Sequence, residues 1–431
     1  MSSILTNNGA MVALQTLKSI NSNMADTQSK ISTGKSVANA KDNSAVWAIS
    51  KVMEADVKGF KGISDSLNLG QSTVAVARQA SETVTDLLTD IKGKIVAAQE
   101  ENVDRDKIQT DISALRDQIG AVVGAAQFNG LNLLDNKDTT AGSDTINVLA
   151  SLDRSSTGVS ASDISVSKQD LGTSAATITG AAQATGGTQM SGTTAGATDA
   201  LTGAGTADTT DFTIVTAEVA AGVGYSISLS AGAGDFASAN TSTATGRPSE
   251  IMYVAREGDT AQDVFDNLND GLKSHLAGAG LDSDDMSMSF NSTTGAVTVT
   301  GSTTVGNDIT VRSDTYADTG TDIGGGLGEL ANIDVTTQEG VDSALTAIEG
   351  FIQTSVDAAA NFGSVQGRIE TQSDFISGLT DALKSGIGSL VDADMEETSA
   401  RLQALQVQQQ LGVQALSIAN QAPQQLLSLF R

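Results

Sequence analysis

Phe60-Lys-Gly-Ile-Ser-Asp-Ser-Leu-Asn-Leu-Gly-Gln-Ser-Thr-Val-Ala-Val-Ala-Arg-Gln-Ala-Ser-Glu-Thr-Val-Thr-Asp-Leu-Leu-Thr-Asp-Ile-Lys-Gly-Lys-Ile95 decides the fold. Alternating steps of three and four along it give Phe60, Ile63, Leu67, Gly70, Val74, Ala77, Ser81, Val84, Leu88, Ile91 and Ile95, and only Gly70 and Ser81 are not apolar. At 3.6 residues per helical turn, this spacing keeps one narrow seam on one face. No proline interrupts the stretch, so it can run as a single rod of roughly 50 Å. A narrow seam needs a partner helix.

The partner lies near the other end. From Val341 onward the same repeat returns as Leu345, Ile348, Ile352, Ser355, Ala359, Phe362, Gln366, Ile369, Ser373, Ile376, Thr380, Leu383, Ile387 and Leu390. Ile108, Ile112, Leu115, Ile119 and Val122 mark a shorter helix that folds back beside the rod after the polar turn at Gln99–Asp104. Working outward, residues 3–33 read as a first helix with a weak seam: Leu14, Leu17, Asn21, Met24, Gln28 and Ile31. Ser32-Thr-Gly-Lys35 ends it, and the sole tryptophan, Trp47, anchors the start of the rod. A last helix is expected from about Glu397 to Asn420, with Leu402, Leu405, Leu416 and Ala419 in its seam and Leu411 and Ile418 beside it. Such weak seams leave isolated helices marginal in water.

Between the helical ends the texture changes. Gln127-Phe-Asn-Gly-Leu-Asn-Leu-Leu134 places Asn-Gly between apolar residues, a short-hairpin signal. From about Asp138 Gly, Thr, Ser and Ala dominate. Alternating stretches at Phe212–Thr216, Tyr225–Leu229, Ile251–Val254, Met286–Phe290 and Ala296–Thr300 read as strands. An amphipathic helix, Thr260–Leu276, interrupts them with Val264, Phe265, Leu268 and Leu272 on one side. The expected fold is mainly α at both termini, a coiled-coil or long helical bundle, with a β-rich α+β insert. The two termini pack together in an elongated multi-domain rod.

Composition narrows the function. The 431 residues have room for two to four domains, and aromatics make up only 3%. The core must come from Ala, Val, Ile and Leu, which suits thin bundles. Net charge is −27, which argues against nucleic acid and anionic membrane surfaces as partners. Residues 136–340 carry 26 acidic and 7 basic side chains, so most of that charge sits in the middle of the chain. There are no cysteines, which excludes disulfides and thiolate metal sites and suits a chain kept unfolded before export. No apolar run is long enough to span a bilayer. Met1-Ser-Ser-Ile-Leu-Thr-Asn-Asn8 lacks the basic and apolar regions of a secretory signal, so an exported protein of this sequence needs another route.

Several segments resemble bacterial flagellin, in the alphaproteobacterial style. They are Ile31-Ser-Thr-Gly-Lys-Ser-Val-Ala-Asn-Ala-Lys-Asp-Asn-Ser-Ala-Val-Trp-Ala-Ile-Ser50, Leu67-Asn-Leu-Gly-Gln-Ser-Thr-Val-Ala-Val-Ala-Arg-Gln-Ala80, the Gln127–Leu134 hairpin and Ala415-Leu-Ser-Ile-Ala-Asn-Gln-Ala-Pro-Gln-Gln-Leu-Leu-Ser-Leu-Phe430. Gly258–Asn269 resembles a small module found in flagellin inserts. The resemblance implies a self-assembling subunit of the extracellular flagellar filament, a structural protein and not an enzyme. It implies an inner terminal coiled-coil domain (1–42 and 392–431), a helical rod domain with a hairpin (43–172 and 337–391) and a surface domain (173–336). It implies other flagellin subunits, the type III export apparatus and chaperone, and hook-associated and cap proteins as partners, with O-glycans on the surface domain. The alternatives are a hook–filament junction protein, which shares the helical ends, and a surface adhesin displaying the insert.

Chemical motifs are sparse. His275 is the only histidine and reads as a surface residue; a His-Glu-x-x-His metalloprotease motif needs two. Asp282, Asp284 and Asp285, and Asp314, Asp318 and Asp322, offer calcium-like oxygens without the EF-hand glycine and terminal Glu. Gly324-Gly-Gly-Leu-Gly-Glu329 lacks the lysine of a phosphate loop. No cofactor or metal is implied. Two positions of the rod surface, Arg and Leu in flagellins recognised by animal Toll-like receptors, align with Asp90 and Lys94, which implies poor recognition.

Overall fold

The computed structural model describes residues 7–429 apart from 156–157, 181, 183–189, 192–197, 215–218, 243–248 and 283. The helices are α1 (Asn8–Thr33), α2 (Ser44–Ala98), α3 (Arg105–Ala125), α4 (Ala261–Gly278), α5 (Gln338–Val391) and α6 (Met395–Leu429). Their ends follow local chemistry. The Asn7 side chain accepts from Ala10 N to start α1, and Gly34, at φ 68°, ends it in the left-handed region glycine tolerates. Asn43 Oδ1 accepts from the amides of Ala45 and Val46 at the start of α2. In the intervening link, Asp42 accepts from Asn39 and Ala38 N, and those bonds, Asn39's the larger, hold its carboxyl below the usual range. α6 runs past the expected end at Asn420 to Leu429.

The chain forms two compact units. One comprises residues 1–65, 151–160 and 373–431, the other 66–150 and 161–372. The first contains the antiparallel pair of α1 and α6. The second contains α2 from Ser66 to its C-terminal end, the first two-thirds of α5, α3 and the β-rich insert.

The Asn-Gly hairpin forms as expected: β1 (Gln127–Phe128) and β2 (Leu131–Asn132) pair around Asn129 and Gly130, at φ 52° and 82°. Two positive angles are what the tight hairpin turn requires. It is followed by β3 (Thr145–Ser155) paired with β4 (Gly158–Ser167), a long hairpin the sequence reading does not anticipate.

The insert contains β5 (Thr177–Ile178), β6 (Met190–Ser191), β7 (Thr198–Leu201), β8 (Thr209–Ile214), β9 (Gly224–Ser230), β10 (Ile251–Val254), β11 (Ser287–Asn291), β12 (Ala296–Thr300), β13 (Ile309–Tyr316) and β14 (Thr321–Asp322). Two four-stranded sheets run β10-β9-β13-β7 and β11-β12-β8-β6, with antiparallel neighbours throughout. The expected strands at 225–229, 251–254 and 296–300 coincide with β9, β10 and β12. Val215 and Thr216, at the end of another, lie outside the described residues. Helix α4 opens with a capping box of Thr260 and Asp263 and buries Val264, Phe265, Leu268, Leu272 and Leu276. Phe265 stacks on Phe290 at 5.1 Å between centroids.

Candidate assembly surfaces

The seam of α2 is the most completely buried feature of the helical ends. Ile63, Leu67, Val74, Val84, Leu88, Ile91 and Ile95 have no solvent exposure, and Phe60 is half-buried at the margin. On α5 the heptad positions Ile348, Phe362, Ile369 and Ile376 are buried, with Ile352 and Leu383 half-buried. Burial of such side chains contributes about 1.5–3 kcal/mol each, which makes the seam the main source of rod stability. In the second unit, Lys92 pairs with Glu349 at 2.5 Å, Arg78 donates to Gln366 at 2.9 Å and Gln71 to Glu370 at 3.1 Å. Residue numbers rise on one helix as they fall on the other, so the pair is antiparallel.

The two slots that break the α2 seam each have a structural cause. A Cβ on Gly70 would lie 2.6 Å from a Val148 methyl, so the missing side chain is where β3 packs against the helix. Gln372 Nε2 donates to Ala150 O at 2.9 Å, fastening the same strand to α5. Ser81 meets the polar slot of the other helix. Ser355 Oγ donates to Ser81 O at 3.1 Å and lies 2.9 Å from Thr85 Oγ1, and Ser81 and Ser355 are fully buried. A polar layer in an apolar seam is satisfied in one alignment only, because sliding either helix leaves hydroxyls facing methyl groups.

The terminal pair has a different character. Asn21 Oδ1 accepts from Gln409, Asn7 Nδ2 donates to Ala419 O at 2.8 Å, and Gly412 lets Leu17 approach. The seam of α1 corrects the sequence reading. Leu14 is 47% exposed, whereas Ile20 and Thr27 are buried; Leu17, Met24 and Ile31 are half-buried as the flanks of that line. Thr27 enters the seam because its hydroxyl donates to Asn23 O within its own helix, whereas Gln28 stays in water. On α6, Leu405 is buried, Leu402 and Leu416 half-buried, while Leu411 and Ile418 stand exposed with Val407 and Val413. Met11 and Val12 are also exposed on α1. At the end of α5, Val391 is buried and Leu390, expected in the seam, is exposed. There the backbone of Ser36 and Gly34 bonds to Val391 and Ala393, tying the link to the α5–α6 joint.

On the polar faces of α2, Arg78 and Glu82 pair with each other and Lys94 binds Asp111 on α3 at 2.5 Å. Asp90 is exposed.

At the root of the insert lies a buried cation missed in the sequence. Arg256 donates to Asp170 at 3.0 Å, to Tyr253 Oη at 2.9 Å and to Gly324 O at 3.0 Å. It joins the outgoing chain, β10 and the returning chain. Tyr253 donates to Asp259, and burial raises the pKa of both groups. The glycine run beside it has a steric reason: a Cβ on Gly325 would lie 2.0 Å from Gly172 O. His275 is not a surface residue; its side chain is 13% exposed and both ring nitrogens have partners. Asp285 accepts from Asp282 N and Asp282 from Asp284 N within their own turn, while Asp314 pairs with Arg312 and Asp322 accepts from Thr177. Among the described residues no group of three or more His, Cys, Asp or Glu could hold a metal, and no helix is long and apolar enough to cross a membrane.

Comparison with known proteins agrees with this architecture. Residues 4–139 match the bacterial flagellin N-terminal helical region and 341–430 the C-terminal helical region. Flagellin A of Rhizobium meliloti is 35% identical over 433 residues, with both chains covered completely, and Flagellin A of Rhizobium meliloti strain 1021 is 36% identical over 445 with the same coverage. A flagellin of Brucella melitensis is 29% identical, again over the whole of both chains. Solved structures are more distant. FliC from Burkholderia pseudomallei aligns over 69% of this chain and 99% of its own, at 13% identity and a TM-score of 0.30. The relatives matched over the full chain are flagellins. The chain belongs to the bacterial flagellin family, the structural subunits of the flagellar filament.

Proposed function

We propose that the two helix pairs divide the work of assembly. Residues 1–42 and 392–431 form the inner coiled-coil domain, which lines the filament channel and completes its packing against other copies of this chain. Residues 43–172 and 337–391 form the rod, whose seams hold the subunit together while its outer faces meet neighbours. Residues 173–336 face solvent. One observation carries this reading: the terminal helices leave Met11, Val12, Val407, Leu411, Val413 and Ile418 exposed in a single chain, in a family of filament subunits. Copies of the same helices supply matching apolar surface, and burial against them offsets the ordering cost.

The absence of cysteine supports passage as an unfolded chain through the flagellar type III apparatus, with a chaperone on the way and hook-associated and cap proteins at the growing end. The surface domain presents exposed Ser292, Thr293, Thr303 and Thr304 as acceptors for O-glycans. Exposed Asp90 and the Lys94–Asp111 pair support poor receptor recognition, being charged where a receptor would need Arg and Leu.

Limited proteolysis of monomer and filament tests the division. Cleavage near both ends of the monomer, with protection after polymerisation, is the expected outcome; equal protection in both states overturns it. Electron microscopy of the same samples should show long tubes. Short rings favour a junction protein, and adhesion without filaments favours an adhesin.

A further inference from the structure

The outgoing and returning segments of the insert lie against each other as a narrow stem. Leu327 N donates to Gly172 O at 2.9 Å, Gly325 N to Ser174 O at 2.8 Å and Thr179 N to Gly320 O at 2.7 Å. A Cβ on Gly326 would lie 2.0 Å from Asp170 O, and one on Gly324 would lie 2.5 Å from Ala176 N, so the two backbones touch directly. Helix α3 holds the returning chain: Gln109 Nε2 donates to Ile333 O at 2.8 Å, and Gln109 Oε1 accepts from Val335 N at 2.9 Å. These bonds fix the stem to the helices. They do not by themselves fix the body of the insert, because two chains joined edge to edge twist readily as a ribbon.

Three consecutive residues between β10 and α4 reach from the body to the segments around the stem. Arg256 uses three different nitrogens: Nε donates to Asp170 Oδ2 at 3.0 Å, Nη1 to Tyr253 Oη at 2.9 Å and Nη2 to Gly324 O at 3.0 Å. Asp170 is on the outgoing chain, Gly324 on the returning chain and Tyr253 on β10. The Arg256 and Asp170 side chains are 12% and 4% exposed, whereas the Arg312–Asp314 pair leaves its arginine 44% exposed. Next, Glu257 Oε1 accepts from Gly142 N at 2.9 Å, in the segment before β3. Gly258 follows at φ 88°, where a Cβ would lie 2.8 Å from Asp144 Oδ2. Asp259 holds the loop from the inside, accepting from Arg256 N at 2.7 Å and from Tyr253 Oη.

We propose that Arg256-Glu257-Gly258 is a buckle that locks the body of the insert to its stem in one orientation, with Arg256 as the positioning residue. A planar guanidinium satisfies three acceptors only while all three keep their places around it. Twisting the body away would leave Asp170 charged and buried without its partner, which is costly. The lock is a property of the single chain and does not depend on how copies assemble. One further tie joins α4 to α5: Ser343 Oγ donates to Ser274 O at 2.9 Å, a bond between neutral groups outside the buckle. The insert is therefore carried at a fixed angle to α3.

The chain has no cysteine, so two introduced thiols are the only sites for spin labels. Ala114→Cys on α3 and Asn267→Cys on α4 are both exposed and lie on either side of the buckle. Pulsed electron paramagnetic resonance on this labelled full-length monomer should give one narrow distance population. Arg256→Gln should broaden it about twofold, since a neutral side chain leaves Asp170 without its charge partner. Arg256→Lys keeps the charge without the planar fork and should fall between the two. Asp170→Asn with Arg256→Gln removes both charges, so the insert should stay folded by circular dichroism while the broad distribution remains. Ser343→Ala should leave the width unchanged. Several distance populations in the parent chain overturn the proposal without needing any variant to fold. Parent width in the folded double variant, or broadening by Ser343→Ala equal to that by Arg256→Gln, also overturns it. Unfolding of the insert in the double variant overturns it too, by assigning Arg256 to the stability of the body rather than to its orientation.

Discussion

The two antiparallel helix pairs bury their seams to different depths. In the α2 seam seven apolar side chains from Ile63 to Ile95 are fully buried, and the polar slots are filled by a glycine that admits a strand and a serine that meets a serine. In the α1–α6 pair the buried positions are Ile20, Thr27, Thr398 and Leu405, each retaining some exposure, and large apolar side chains remain on the outside. The first pair buries its seam within one chain. The second has apolar surface to spare, which the proposed packing against other copies would cover. Family membership alone does not distinguish the two pairs; the contrast in burial is what supports the division of roles proposed above.

The strongest way to break the contrast is to remove one side chain from each seam. Ile91→Ala in the rod should lower the monomer's stability by about 2–5 kcal/mol, read from urea unfolding followed by circular dichroism. Leu405→Ala should move that transition little and slow filament elongation instead. Equal shifts of the urea midpoint would show that the terminal pair contributes to the monomer as the rod does.

Gly70→Ala sharpens the role of the strand. The added methyl meets Val148 at 2.6 Å, so helix and β3 must separate, at a cost of about 1–3 kcal/mol in the thermal transition. Gly93→Ala, on the same helix with open space around its Cβ position, should be neutral or slightly stabilising because alanine favours the helix. A double variant Gly70→Ala with Val148→Ala should recover much of the loss.

These positions show what sequence could reveal. The seam of α2 is legible because each turn repeats the same requirement, from Ile63 to Ile95. The departures at Gly70, Ser81 and Ser355 are visible, but their causes are tertiary: a distant strand at Gly70 and a serine 274 residues away at Ser81. The β3–β4 hairpin is hidden because its buried residues, Val148, Ala150, Ile164 and Val166, are small apolar side chains alternating within a Ser- and Asp-rich stretch. Spacing misplaces Leu14 because it favours apolar residues over Thr27, whose hydroxyl satisfies itself on the backbone. Arg256 and its partners cannot be read at all, since Asp170, Arg256 and Gly324 share no local pattern.

Ser355→Ala tests the polar layer at smaller scale. It removes the donor to Ser81 O, whose carbonyl also accepts from Thr85 within its helix. The expected loss is about 1 kcal/mol in the urea midpoint, near the net contribution of one hydrogen bond. A Ser81→Ala, Ser355→Ala double variant leaves Thr85, bonded to the backbone carbonyl of residue 81, as the side-chain hydroxyl remaining from these three. It should recover part of the stability while weakening register, read as broader linewidths from α2 and α5. Unchanged linewidths would leave the layer no role in alignment.

The smallest effect separates the pairs by pH. The buried polar groups of the rod layer are hydroxyls and do not titrate near neutrality, whereas the link between α1 and α2 depends on Asp42 accepting from Asn39 and Ala38. Those bonds hold its folded pKa below the usual carboxylate value. For a depressed acid, the stabilising contribution is present above the unfolded pKa, about 3.9, and is lost as pH falls through the lower folded value. Exchange at residues 36–43 should therefore rise selectively below about pH 4, while exchange in the α2 seam stays unchanged over the same interval. Asp42→Asn keeps a carbonyl to accept the two amides but carries no charge, so the acid-dependent part should disappear and the link should be slightly looser at pH 7. If the link and the seam loosen together in wild type, acid acts on the whole fold and the separation between the two helix pairs fails.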